Sequence, residues 1–245
     1  MQVLSVEVFR GAARIARKRV VSSEPQLSAQ LGQGALSSLV ALAVARADEH
    51  GIRSDAGIQI YLQLMRNLGC DFDRDPGLPW ASSLLADETF AESGTRLEQT
   101  AAAALSHLER VHGNDDVHLR TACQRVAERS VAQLQGPEQL PLPERIHHVS
   151  NELWPEKARA LEDEDARCEL SSEAAKVAQH HQLQHPGHVV LIAVVMFVLG
   201  SGVFADPQHL WARQALDAST DPDTRVFNLH KAACHRIAVL GNEHG

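Results

Sequence analysis

Apolar residues recur along this chain at spacings of three and four, the period of a helix with one buried face. Residues 3–21 carry Val3, Val6, Phe9, Ala13, Ala16 and Val20 near one face and Arg10, Arg14, Arg17 and Lys18 largely on another. That pattern predicts a first helix, broken by Pro25, whose basic side is a solvated outer face; a membrane-surface or targeting helix is the competing reading, and Glu7 and Glu24 dilute its basic run. Residues 35–50 predict a second helix, closed at His50-Gly51, where glycine suits a C-terminal cap. Ile58, Tyr61, Leu62, Met65 and Leu68 predict a third, capped by Ser54 or Asp55 and stopped by Gly69. Beyond the turn-dense connector CDFDRDPGLPW, helices are expected over 81–86, 93–111 and 114–135, and later over 145–153, 156–162, 171–182 and within 189–204.

The third helix and its connector return near the C-terminus. Met65 matches Met196, Leu68-Gly69 matches Leu199-Gly200, Asp75-Pro76 matches Asp206-Pro207, and Trp80-Ala81 matches Trp211-Ala212, all at an offset of 131 (200 − 69). His50 and His181 share that register, and a two-residue deletion aligns Thr95-Arg96 with Thr224-Arg225. So much ungapped agreement predicts an internal repeat. The expected architecture is all-α, with two tandem related helical halves packed as a bundle. Residues 1–135 form the first unit plus an extra helix, the Pro-rich stretch 136–143 is a linker, and 144–245 form a second unit truncated at its C-terminal end.

Composition supports helices, since aromatics make up only 4% of the 245 residues while Ala, Leu, Gln and Glu abound. A formal charge of −8 argues against duplex nucleic acid, whose phosphates need clustered Lys and Arg. The stretch 189–204 is uncharged and strongly apolar, but it falls short of the roughly 20 residues that cross a bilayer. It reads as a central helix buried on all sides. Four widely spaced cysteines without a CxxC, and no signal peptide, suggest reduced thiols in a cytoplasmic protein.

Candidate chemistry is sparse. Asp71, Asp73 and Asp75 resemble the opening of a calcium loop, but Pro76 stands where its glycine belongs and Ser82 where its bidentate Glu belongs. His180, His181, His185 and His188 cluster in sequence, yet Pro186 disfavours helix at His185, and no HExxH motif is present. Both sets therefore read as structural or surface residues, with no metal and no cofactor expected. The acidic run 162–165 reads as a solvated face. Arg96 and Arg225 read as bridges to the acidic connector, or alternatively as clamps on an anionic partner. No GxSxG, P-loop or GxGxxG occurs, and no catalytic residue is assigned. Arg66, Asp71, Asp73, Arg74 and Trp80 are the candidate partner contacts, because they gather at the connector.

In residues 9–111, the helix, HGI turn, YLQLMRNLGCDFDRDPGLPWA and Arg-led helix resemble small helical proteins of bacterial type VI secretion loci. Residues 154–240 resemble them more loosely, with SGVFADP in place of CDFDRDP. The resemblance implies an accessory role beside a secreted toxin, as adaptor, chaperone or immunity protein, and carries over no catalytic residue. The expected function is thus a non-catalytic protein-binding module whose partner is a toxin, effector or secretion component. The competing expectation is a metal- or small-molecule-binding enzyme with a pocket between the halves.

Overall fold

The apolar stripes fold as helices, and no strand occurs among the described residues. The computed structural model describes residues 25–90, 92–219 and 221–243, apart from the side chains of 25–30 and 240–243. The helix expected over 3–21 lies outside them. In chain order the helices are α1 (Pro25–Glu49), α2 (Asp55–Leu68), α3 (Pro79–Ala86), α4 (Ser93–His112), α5 (Val117–Glu128), α6 (Val131–Leu134), α7 (Leu142–Leu153), α8 (Pro155–Ala158), α9 (Glu164–His180), α10 (Pro186–Leu199), α11 (Leu210–Asp217) and α12 (Pro222–Glu243). Two pairs keep the offset of the sequence match: α2 with α10 and α3 with α11 have identical lengths and bounds displaced by 131 (186 − 55, 210 − 79).

Local chemistry explains the starts and stops. The Ser54 hydroxyl accepts from Gly57 N at 3.1 Å to cap α2, and at the matched position His185 Nδ1 accepts from Gly187 N at 3.1 Å to cap α10. Gly69 and Gly200 stop these helices with near-identical dihedrals, φ 103 and ψ 154 against φ 103 and ψ 147. The span expected as one helix over 114–135 divides at Ser130. There the hydroxyl accepts from Gln133 N and Gln133 Oε1 accepts from Ser130 N, a capping box that restarts the chain as α6. The acidic run is exposed, as its reading as a solvated face expects, and it also opens α9. Asp163 accepts from Asp165 N and Ala166 N, and Glu164 and Asp165 occupy the first turn, where negative charge favours the helix dipole.

Two apolar cores result. The first joins buried residues from Leu36 to Ala104, and the second runs from Val111 to Ile237. The expected divide at 136–143 is not where the cores part: Leu119, Ala122, Val126 and Leu134 already belong to the second, because α5 packs on α12 and α6 packs on α10. Helix α10 is buried from Gly187 to Phe197, since α6, α7, α9 and α12 all pack on it. Its match α2 leaves Gln63 and Asn67 exposed. Among the described residues no helix is long and apolar enough to cross a membrane.

The cores meet at a seam made by the matched residues. A Cβ placed on Gly69 would lie 3.1 Å from Gly200 Cα, and one on Gly200 would lie 3.0 Å from the Leu68 carbonyl oxygen. Asp75 Oδ1 accepts from Gly77 N at 2.8 Å, while its Oδ2 crosses to accept from Ser201 N at 2.7 Å. Asp206 does the same in the opposite direction, accepting from Gln208 N at 2.8 Å and from Cys70 N at 3.1 Å. Each helix end is thus sealed by a carboxylate from beyond the other helix.

Substitutions at the seam should therefore be costly. Gly200→Ala combines an unfavourable positive φ with a backbone collision, and is expected to lose about 2–4 kcal/mol in urea unfolding. Asp206→Ala, which strands the Cys70 amide, is expected to lose roughly 2–3 kcal/mol. Gly94→Ala, with no atom within 4 Å of its added Cβ, is the control and should be neutral or stabilising.

Candidate functional site

The densest polar constellation lies where the end of α1 meets the 71–75 connector. Arg46 Nη2 donates to Asp71 Oδ1 at 2.5 Å, His50 Nε2 donates to Asp73 Oδ2 at 3.0 Å, and Arg74 pairs with Glu49. Tyr61 packs beneath, its ring 4.9 Å from that of Phe72. Burial opposes the charge on Asp73, but His50, the facing Tyr61 hydroxyl and the Arg46 charge together hold its pKa below the ordinary carboxylate range. Burial, followed by the charge of Asp73, drives the Tyr61 phenol far up. The Tyr61 hydroxyl and Asp73 Oδ1 are both enclosed, and neither meets hydrogen-bond geometry with a described partner.

The structure brings three of the five candidate contacts, Asp71, Asp73 and Arg74, into this constellation, while Arg66 and Trp80 make their contacts elsewhere. Asp73 is buried, which removes it from any partner surface, and Asp71 is half-buried against Arg46. Arg74 is the most exposed of this group, at 57% of its side chain. Arg66 lies half-buried on α2 and bonds Gln63, away from the connector. Trp80 is half-buried against the first core with its ring 5.7 Å from His107, so it packs more than it presents. The calcium-like spacing also resolves into structure: Asp71, Asp73 and Asp75 serve Arg46, His50 and the seam respectively.

The matched arginines tie helix ends together and do not bridge to the acidic connector. Arg96 Nη2 donates to the His50 carbonyl at 3.3 Å and Arg225 Nη1 to the His181 carbonyl at 2.5 Å, so each ties the start of one helix to the end of another. The histidine cluster is likewise divided. His181 follows the last residue of α9 and pairs with Asp217, His185 caps α10, and His188 pairs with Asp223. Among the described residues no group of three or more potential ligands is placed to hold a metal. Between the halves, the backbones at Gly69 and Gly200 approach closely.

Two basic side chains with lowered pKa values lacked any sequence signal. Lys157 extends from α8 toward the seam, donates to the Val198 carbonyl at 3.2 Å and lies 5.1 Å from the centre of the Trp154 ring. Burial pulls its pKa down to about 8, against the opposing charge of Asp75. His107 accepts from Arg110 Nη2 at 3.1 Å, and burial, with the charge of Lys157, takes its pKa down to about 4. Cys234 and His230 sit 3.4 Å apart but form no thiolate pair. His230 Nε2 donates to the Arg129 carbonyl, the thiol donates to that of Val126, and burial raises the Cys234 pKa.

Among the described residues a groove of about 520 Å³ lies beside α5 and α12, and a smaller one of about 340 Å³ is lined by Arg129, Gln133, His148 and Glu152. Cys123, Ala127 and Ala238 contribute small side chains to the larger groove, and Val117, Arg120 and Glu128 also line it. Val117 is 45% exposed. A surface of this kind suits an inserted peptide or helix better than a small reactant, because small residues admit a backbone and flanking charges orient it.

Two measurements follow from the buried groups. With an unfolded pKa near 6.5 and a folded one near 4, His107 contributes stability that is complete above about pH 6.5 and lost as the pH falls toward 4. Its contribution between pH 7 and pH 5 is on the order of 1–2 kcal/mol. His107→Leu should flatten that part of the urea-midpoint profile. Tyr61→Phe should raise the Asp73 pKa, since the facing hydroxyl helps hold it down, and should cost no more than about 1 kcal/mol at pH 7, since that hydroxyl does not meet full hydrogen-bond geometry. A larger loss would mean that the hydroxyl is bound to Asp73.

No family model matches the chain, and no curated protein and no solved structure matches it.

Proposed function

We propose that the protein is a non-catalytic protein-binding module, acting as a cytoplasmic adaptor, chaperone or immunity protein for a secreted toxin effector. The observation that carries this reading is the open groove beside α5 and α12, whose small side chains leave room for a partner's backbone. Asp73, Asp75, Asp206 and Lys157 hold helix ends and the seam together, so they are committed to the fold. The formal charge of −8 favours a basic partner through electrostatic steering. The resemblance to accessory proteins of type VI secretion loci points the same way, toward binding and away from turnover.

The test is purification of the tagged chain from its native cell without crosslinking, followed by mass spectrometry of what stays bound through gel filtration. A stoichiometric toxin-like or secretion partner is expected, and Ala127→Arg should release it while leaving the thermal midpoint unchanged, because Ala127 is exposed. Recovery of the same partner with the Ala127→Arg chain would sink the groove assignment. Recovery of no partner, with turnover of a small molecule, would sink the binding-module reading itself.

A further inference from the structure

We propose that this chain also pairs with a second copy of itself by exchanging halves, with the Gly113–Asp116 turn as the hinge. Helices α4 and α5 are joined there by a backbone that L-residues resist. Gly113 has φ 76, and the two residues ahead of α5 are left-handed in succession: Asp115 at φ 51, ψ 36 and Asp116 at φ 55, ψ 26. Non-glycine residues visit this region singly, and two in a row are held against their preference. His112 Nδ1 holds the turn by donating to Asp116 Oδ1 at 3.1 Å, and Asp116 N donates to the Gly113 carbonyl at 3.2 Å. Release of the turn into right-handed backbone would join α4 and α5 into one continuous helix.

The hinge also coincides with the division of the cores. The first core ends at Ala104 and the second, apart from Val111, lies beyond the turn. The bonds across the seam join residues before the turn to residues after it: Asp75 to Ser201, Cys70 to Asp206 and the Met65 carbonyl to Gln208 Nε2. Within the second core the Val111 carbonyl likewise meets Trp154 Nε1 from the other side of the turn. A second copy offers the same partners in the same geometry, so an opened chain recovers each bond in a dimer and loses only the strained turn. The partner in this exchange is therefore chemically specified, as the other half of the same sequence.

The exchange is tested on the full-length chain. A Cβ on Gly202 lies 2.8 Å from Cys70 Sγ, so Gly202→Cys places a disulfide across the seam once the Asp71 carboxylate turns aside. The exposed Cys168 is replaced by Ser to prevent surface crosslinks. After refolding at high concentration, light scattering should find a dimer fraction in which the bridge from Cys70 to the introduced thiol runs between chains on a non-reducing gel. Asp115→Ala with Asp116→Ala penalises the closed turn and should raise the dimerisation constant at least roughly tenfold, the equivalent of one left-handed residue. Asp115→Gly with Asp116→Gly relaxes the turn and should lower it, which keeps the test valid should the alanine chain fail to fold. A parent chain that stays monomeric at every concentration overturns the proposal, as does a dimer whose engineered bridges remain within each chain.

Discussion

Everything in this fold depends on how two helix ends meet. Helices α2 and α10 stop at glycines packed backbone to backbone, and such an approach leaves no room for water to serve the amides that follow. Asp206 supplies the acceptor for Cys70 N and Asp75 the acceptor for Ser201 N, each reaching over from the opposite side. A carboxylate is well suited to this, because one oxygen closes its own turn while the other crosses the seam. The same atoms thus set the connector's shape and join the two cores. Neither side can seal its helix end alone.

Residues paired by the offset of 131 nonetheless differ in chemistry. Arg46, Tyr61, Asp71 and Asp73 correspond to Val177, Ile192, Gly202 and Phe204. The difference tracks what covers each helix. α6 and α7 lie on α10, so its residues must be apolar all round, whereas α2 faces solvent along Gln63 and Asn67. The ionic constellation at the connector is compact and self-paired, which makes it a brace for the end of α1 more than a recognition surface.

Function on this reading lies outside the matched residues. The groove beside α5 and α12 belongs mainly to the part of the chain without a sequence counterpart, and α5 is also the helix reached through the strained turn. Its small side chains resemble the inner surface of a helix pair, turned outward.

The sequence by itself determined the helical class, the α2 stripe and the uniformly apolar α10, their glycine stops and the aspartate turns, because these are governed by residues within a few positions of one another. The Ser130–Gln133 capping box and the acidic opening of α9 were equally local and legible, though masked by longer helical patterns. Only the tertiary structure decided that Asp75 and Asp206 cross the seam, that Arg96 and Arg225 bind carbonyls, that Lys157 is enclosed, and that α5 joins the second core. Those contacts join residues dozens to more than a hundred positions apart. A single sequence carries the chemistry of each group, but the identity of its partner is set by packing, where burial forces every donor onto whichever acceptor the fold brings near.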